Sequence, residues 1–203
     1  MRFWKFCCLN LFFLFFSISS AHAKTDNTAI LKAMQAGGHI LMIRHASAPG
    51  FGDPDNFKIG DCNTQRNLDN RGREQAVEIG NWLRSHDIET AKVYSSQWCR
   101  CMETAKLLDI GDVKALPALN SFFQMPQNRE PNLLALKQFI ASQKTDGELI
   151  ILVTHHVTIE AISGQNVASG DGVLLKLKDV ESNNTVAYEF VGTVSDMSVA
   201  NDN

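Results

Sequence analysis

Residues 39–46 read His-Ile-Leu-Met-Ile-Arg-His-Ala. Within them, the apolar run of residues 40–43 is followed directly by the pair Arg44-His45. A continuous apolar run of this length is typical of a strand that is buried on both faces of a parallel sheet. A second run, residues 149–153, ends just before another histidine, His155. Because ligands collect at the carboxyl ends of parallel strands, we expect both imidazoles to lie at one edge of a single sheet.

The rest of the chain alternates between helical and strand patterns. We predict helices over residues 28–35, 69–84, 99–108, 132–141 and 157–162, and strands over residues 39–43, 92–95, 113–116, 149–153, 172–177 and 185–191. This alternation predicts an α/β domain with three layers (α/β/α), a largely parallel central sheet and a terminal strand pair. Two long loops, residues 48–66 and 121–131, interrupt the pattern, and loops of this length are usually functional.

The beginning of the chain has the layout of a secretory signal peptide. A basic start precedes the unbroken apolar stretch 11–16, and a small-x-small cleavage site ends at Ala23. The apolar core is shorter than the roughly 20 residues that a membrane-spanning helix needs. We therefore predict a signal peptide over residues 1–23 and one domain over residues 24–203, secreted to the periplasm and without a membrane span after cleavage.

The charge balance of the mature chain argues against a nucleic acid partner. Cleavage removes two of the 19 Lys and Arg residues, which leaves 17 against 22 Asp and Glu residues. No basic block remains, whereas binding to a phosphate backbone needs clustered Lys and Arg.

Three cysteines follow the predicted cleavage site, at Cys62, Cys99 and Cys101. An oxidising compartment permits a disulfide. Because Cys99 and Cys101 lie two apart at a predicted helix start, their side chains diverge, and we expect Cys62 to pair with one of them. The spacing lacks the two closely spaced ligand pairs of a zinc site, so no metal is expected.

Histidines and arginines at strand ends suit phosphoryl transfer. A neutral imidazole such as that of His45 is a good nucleophile near pH 7. The transition state spreads negative charge over the peripheral oxygens, so catalysis depends on positioned cations. Arg44 and Arg100 can each present a planar fork of donors, and a protonated His155 can add another. The sequence therefore predicts a phosphoryl-handling site made of these four residues.

Four segments also carry a family resemblance. They are residues 41–46 (LMIRHA), 68–76 (LDNRGREQA), 94–105 (YSSQWCRCMETA) and 152–155 (LVTH). In this order they resemble the R-H-G signature, the L-x-x-x-G-x-x-Q-A helix start, the S-S-x-x-x-R-x-x-x-T-A segment and the closing V-x-H of the histidine phosphatase superfamily, which has the phosphoglycerate mutase-like fold. Ala46 stands where the family usually has glycine.

The resemblance implies that His45 is the nucleophile and that Arg44, Arg100 and His155 form a phosphate pocket. It implies a small phosphorylated substrate and no cofactor or metal. Arg66, between the first long loop and a helix, is a candidate third cation for the phosphate, and a solvent-exposed role is the alternative.

Two departures from the family leave the proton donor open. His156 follows His155 where relatives carry glycine or aspartate, and residues 119–123 lack the glutamate of the mutase-like branch. The candidate donors are Asp53, Asp55, Glu130 and His156. For the two aspartates, which flank Pro54, turn formation is the favoured interpretation.

The sequence as a whole predicts a phosphatase that hydrolyses a phosphomonoester or a phosphoramidate through a phosphohistidine on His45. One alternative is a phosphoglycerate-type mutase, against which the predicted secretion and the absent glutamate argue. The other is a non-catalytic protein that binds phosphate or a phosphorylated ligand. The oligomeric state stays open.

Overall fold

The computed structural model describes residues 27–179 and 187–198. In these residues the chain folds into a six-stranded sheet with five α-helices. The strands are β1 (His39–Arg44), β2 (Lys92–Ser95), β3 (Val113–Ala115), β4 (Ile150–Thr154), β5 (Gly172–Leu177) and β6 (Tyr188–Val194). The helices are α1 (Asn27–Ala36), α2 (Asn70–Ser85), α3 (Cys99–Leu107), α4 (Arg129–Ala141) and α5 (His156–Ser163). The predicted signal peptide, residues 1–23, lies outside the described residues.

The strand order β3-β2-β4-β1-β5-β6 confirms the predicted architecture. The pairs β2/β3, β2/β4 and β1/β4 are parallel, whereas β5 runs antiparallel to β1, and β6 antiparallel to β5. The terminal strand pair is therefore an antiparallel extension of an otherwise parallel sheet. Both strands that end at the predicted histidines, β1 and β4, lie at its centre.

Alternate residues of β1 divide the core into two layers. Leu41 and Ile43 pack in a cluster that includes residues of α1, α2 and α3, while Ile40 and Met42 pack in a cluster that includes residues of α4 and α5. All four side chains are fully buried. A strand covered by helices on both faces has no polar side, which explains the unbroken apolar run of residues 40–43.

Most element boundaries agree with the prediction. The exceptions are β6, which spans Tyr188–Val194 where residues 185–191 are predicted, and α4. Helix α4 begins at Arg129 instead of residue 132, so Pro131 lies inside its first turn. Proline is tolerated there because the first backbone N–H groups of a helix have no partner within the helix. No helix among residues 27–179 and 187–198 is long and apolar enough to cross a membrane.

Candidate active site

The two histidines predicted to converge lie side by side at the carboxyl end of the sheet. Arg44 of β1 is paired with Thr154 of β4, and a histidine follows each of these two residues in the chain. The backbone N–H of His45 donates to the carbonyl of Thr154 at 3.0 Å. The ring centroids of His45 and His155 are 5.5 Å apart. The parallel ladder itself therefore sets the distance between the two rings.

All five predicted site residues line one cavity of about 180 Å³. The complete lining is Arg44, His45, Ala48, Gly50, Phe51, Gly52, Asp53, Arg66, Arg100, Ser121, Phe123, Gln124, His155, His156 and Val157. Three of these side chains, at His45, Arg100 and His155, are almost completely buried. The cavity thus has a buried, cationic inner end and an opening towards solvent.

Hydrogen bonds fix the tautomer of His45. Its Nδ1 lies 2.8 Å from the carbonyl oxygen of Ala46, which can only accept, so Nδ1 carries the proton. Its Nε2 accepts a hydrogen bond from Nε of Arg100 at 3.2 Å, so Nε2 carries the lone pair. Burial, followed by the positive charge of Arg100, lowers the pKa of His45 to about 3. The imidazole is therefore neutral, with an unprotonated nitrogen available for attack.

His155 is held by a polar chain from the neighbouring loops. Its Nε2 lies 2.9 Å from Oγ of Ser96, and that hydroxyl donates to Oδ1 of Asn120 at 3.1 Å. Because the Ser96 proton is used by Asn120, the Ser96 oxygen accepts the Nε2–H of His155. Burial lowers the pKa of His155 well below its ordinary value, and the nearby ring of His45 and the charge of Arg100 add to this, because they disfavour a second positive charge. His155 is therefore a neutral ring in the free protein, and the donor role considered for a protonated His155 does not apply in this state.

Arg100 forms a bidentate ion pair with Asp53. Its Nη1 and Nη2 bind the two carboxylate oxygens at 2.8 and 3.1 Å, and both side chains are buried. The same carboxylate accepts from the indole of Trp98 and from the backbone N–H of Arg66. Burial disfavours the ionised form of Asp53, but the hydrogen bonds and charge of Arg100 outweigh it, so the pKa of Asp53 is lowered.

The favoured interpretation of Asp53 as a turn-forming residue is therefore wrong. Its partners Arg100 and Trp98 lie more than 40 positions further along the chain, and turn chemistry near Pro54 gives no signal of them. A buried aspartate needs several donors to stay ionised, and sequence alone does not show which residues supply them.

Within the described residues, neither Arg44 nor Arg66 forms a salt bridge, although Asp171 and Asp53 lie near enough to raise their respective pKa values. Arg44 donates through Nη1 to the carbonyl of Val167 at 3.0 Å, and its Nε–H is buried without a hydrogen-bond partner in residues 27–179 and 187–198. Burial first, and the charge of Arg100 second, lower the pKa of both Arg44 and Arg66. Three guanidinium charges in the cavity lining face one carboxylate, Asp53. This surplus suits a dianion.

Motif residues outside the cavity hold the segment that follows His45. The backbone N–H of Ala46 donates to Oγ1 of Thr104 at 3.1 Å, and that of Ser47 donates to Oε1 of Gln75 at 2.8 Å. A Cβ on Gly72 would lie 1.9 Å from the carbonyl oxygen of Ser47, so only glycine fits there. These contacts give a physical reason for the G-x-x-Q-A and T-A spacings.

The four candidate proton donors separate by position. Asp53 and His156 line the cavity, and His156 also begins α5. Asp55 is exposed and lines a neighbouring groove, and Glu130 is exposed and paired with Arg129. Among the described residues that line the cavity, His156 is therefore the titratable side chain outside the network of His45, His155, Asp53 and the arginines.

A disulfide connects the first long loop to the start of α3. Cys62 is bonded to Cys99, which confirms that Cys62 pairs with one of the two later cysteines, and Cys101 is a buried free thiol. The bridge lies beside Arg100 in the chain, and the loop it anchors contains both Asp53 and Arg66. It therefore links the segments that carry these three charged residues.

Comparison with known proteins supports the resemblance. The model of the histidine phosphatase superfamily (branch 1) matches residues 40–120, which contain Arg44, His45, Arg66 and Arg100. No curated protein matches the chain. The described residues contain no group of three or more His, Cys, Asp or Glu side chains arranged to hold a metal ion.

Solved structures share the fold at low sequence identity. A protein histidine phosphatase SixA complexed with tungstate is 17% identical with a TM-score of 0.53, over 77% of this chain and 96% of that one. The Agrobacterium tumefaciens protein named as phosphohistidine phosphatase SixA is 16% identical with a TM-score of 0.53, over 78% and 98%. An Escherichia coli K-12 protein named as α-ribazole-5'-P phosphatase is 16% identical with a TM-score of 0.53, over 78% and 97%.

Proposed function

We propose that this chain, whose residues 40–120 match the histidine phosphatase superfamily, is a phosphatase that acts through a phosphohistidine on Nε2 of His45. Its substrate would be a small phosphomonoester or a phosphoramidate. The observation that carries the proposal is the neutral His45 ring, whose unprotonated Nε2 lies in a cavity with a surplus of guanidinium charge.

In the first step the phosphate binds among Arg44, Arg66 and Arg100, whose donors balance its charge. Nε2 of His45 then attacks phosphorus, the P–N bond forms, and the bond to the leaving oxygen or nitrogen breaks. The Nε–H of Arg100, which binds Nε2 in the free protein, turns to a phosphoryl oxygen as the lone pair is used. Water next attacks the phosphohistidine, the P–N bond breaks, and phosphate and neutral His45 are regenerated. The proton that the water loses returns to the group that protonated the leaving group.

The leaving group needs a proton, and Asp53 is badly suited to give it. Its pKa is lowered and both oxygens bind Arg100, so it is an anion that positions the guanidinium. We assign the proton to His156, whose Nδ1 is buried without a hydrogen-bond partner among the described residues and whose side chain lines the cavity. A phosphoramidate depends less on this step, because its nitrogen is basic enough to be protonated before it leaves.

Trapping of the covalent intermediate tests the proposal. Wild type mixed briefly with radiolabelled acetyl phosphate and quenched in alkaline denaturant should carry label that is stable in base and lost in acid. His45→Ala should carry none, and His86→Ala, outside the cavity, should match wild type. A non-catalytic binding protein would bind phosphate yet show neither label nor turnover, and that result would reject the phosphatase.

We also propose that the protein is secreted to the periplasm. The predicted cleavage site after Ala23 supports this, and the Cys62–Cys99 bridge suits an oxidising compartment. Amino-terminal sequencing of the protein from a periplasmic fraction should begin at Lys24. Full-length protein recovered from the cytosol would contradict the proposal.

A further inference from the structure

Two exposed phenylalanines stand at the mouth of the cavity. Phe51 is 88% exposed and Phe123 is 48% exposed, and both line the same cavity as His45 and Arg100. Their rings are perpendicular, with centroids 5.0 Å apart. Apolar rings kept in water forgo the stabilisation that burial would give, so an exposed pair beside a polar pocket indicates a binding surface.

The loop that presents Phe51 is fixed by side chains on both sides of it. Arg66 donates to the carbonyls of Ala48 and Gly52. The side-chain amide of Gln124 accepts from the backbone N–H of Asp53 at 2.7 Å and donates to its carbonyl at 3.0 Å. These bonds hold the loop at three positions around a side chain that has almost no protein cover, so the exposure of Phe51 is built into the loop.

Gln124 also joins the two loops that carry the rings. It follows Phe123 directly in the chain, and its amide binds the backbone two residues after Phe51. Gly52 has a φ of +68°, and a Cβ there would lie 3.1 Å from the Gln124 amide oxygen, so glycine allows this close approach. The spacing between the rings is therefore set by a specific contact between the loops.

The cavity is polarised from its inner to its outer end. His45, Arg100 and His155 are buried at the inner end, whereas the two phenylalanines are exposed at the opening. Its lining contains no lysine. Arg100 is buried beside His45, whereas Arg44 and Arg66 are half-buried and donate to backbone carbonyls. A phosphorylated molecule must therefore enter with its phosphate inward, which leaves the rest of it against the rings.

We propose that Phe51 and Phe123 form a leaving-group subsite for phosphorylated compounds that carry an aromatic ring next to the phosphate. Two perpendicular rings expose one face and one edge, and a third ring can pack on either in an offset or edge-to-face arrangement. The apolar rings at the opening favour an aromatic group there over an acidic leaving group such as a glycerate. This subsite rests on the proposed function, since it orients the substrate by its phosphate.

Turnover of two matched esters measures the subsite. Benzyl phosphate and ethyl phosphate both release a primary alcohol, so a difference in kcat/KM reports recognition of the ring. We expect wild type to prefer benzyl phosphate by about tenfold, the effect of one aromatic pair plus its buried area. Phe51→Ala and Phe123→Ala should each lose most of that preference, and Phe190→Ala, an exposed phenylalanine on β6, should keep it.

Binding of phosphonates tests the subsite without any reaction. Calorimetry should show that wild type binds benzylphosphonate more tightly than methylphosphonate, and that Phe51→Ala loses this difference while its affinity for methylphosphonate is unchanged. Equal affinities in wild type, or a ring preference that persists in the Phe51→Ala/Phe123→Ala double variant, would overturn the subsite. A ring preference without turnover would instead overturn only the proposed reaction, and binding of neither phosphonate would overturn both.

Discussion

Asp53 holds Arg100 by both terminal nitrogens of its guanidinium, so the Nε–H of that arginine points at Nε2 of His45. The carboxylate thereby does two things that the proposed reaction needs. It offsets one of three clustered positive charges, and it leaves one edge of the Arg100 fork for an incoming phosphoryl group.

Replacement of Asp53 by asparagine should destabilise the protein, since it leaves a buried guanidinium without its anion. Loss of one partner of a buried ion pair costs about 3–5 kcal/mol of unfolding free energy. Urea unfolding at neutral pH should show a loss of this size. A variant as stable as wild type would mean that the ion pair contributes nothing to the fold.

The same variant should reveal the pH dependence of the pair. The pKa of Asp53 is lower in the folded than in the unfolded protein, so its stabilisation is complete above the unfolded value, about 3.9, and is lost as pH falls through the folded value. The difference in unfolding free energy between wild type and Asp53→Asn should therefore shrink on acidification below that value. The neutral histidines, which the unfolded chain protonates, affect both proteins alike. A constant difference across this range would contradict the lowered pKa.

His45 should stay neutral across the physiological pH range. Because its pKa is about 3, nitrogen NMR of the free protein should show the Nδ1–H tautomer unchanged from pH 8 to about pH 4. Addition of phosphate should raise that pKa, because a nearby anion favours the imidazolium. Protonation of His45 near pH 6 in the free protein would show that burial and Arg100 do not control the ring.

Arg100→Lys should separate charge from geometry. Lysine keeps the positive charge but cannot bind Asp53 through two nitrogens while donating to His45. We expect vanadate affinity to fall by about tenfold or more, the value of one lost charge-assisted hydrogen bond. Arg129→Lys, in an exposed pair with Glu130, is the matched control and should bind vanadate like wild type. Equal affinities for both variants would remove Arg100 from the anion site.

Loss of the disulfide should weaken both stability and activity. The bonded cysteines are 37 positions apart, a loop for which chain entropy predicts about 4 kcal/mol. The Cys62→Ser/Cys99→Ser variant should lose stability of that order and show a raised KM, because the loop that carries Arg66 is no longer tied to α3. A reductant should produce the same change in wild type and none in the variant. A reductant effect of equal size on the variant would show that the change does not come from this bridge.

The sequence predicted those structural features that depend on neighbouring residues in the chain, such as buried strands. The apolar runs before His45 and His155 are buried on both faces, so their composition reports their position directly. Asp53 escaped prediction because its donors come from distant segments. Asn120 likewise escaped prediction, because its bond to Ser96, which in turn binds His155, depends on how three loops meet.

The motif residues were only partly predictable: the sequence identified them, but not the contacts they make. Gln75 and Thr104 were recognised only by resemblance, and their role as acceptors for the backbone after His45 appears once α2 and α3 are packed. Phe51 gave no signal, because an exposed phenylalanine in a loop has the same sequence pattern as one that covers the core. The early start of α4 was not predicted, because a proline in the first turn of a helix has the same sequence pattern as a proline in a loop.

The pairing of Arg44 with Thr154 has a consequence for engineering of this chain. The distance between the two imidazoles is set by the pairing of β1 with β4. Loops elsewhere can therefore be lengthened, or the chain circularly permuted at a remote turn, without a change in that distance. A slip of β4 by a single position would turn His155 to the opposite face of the sheet and dismantle the centre at once.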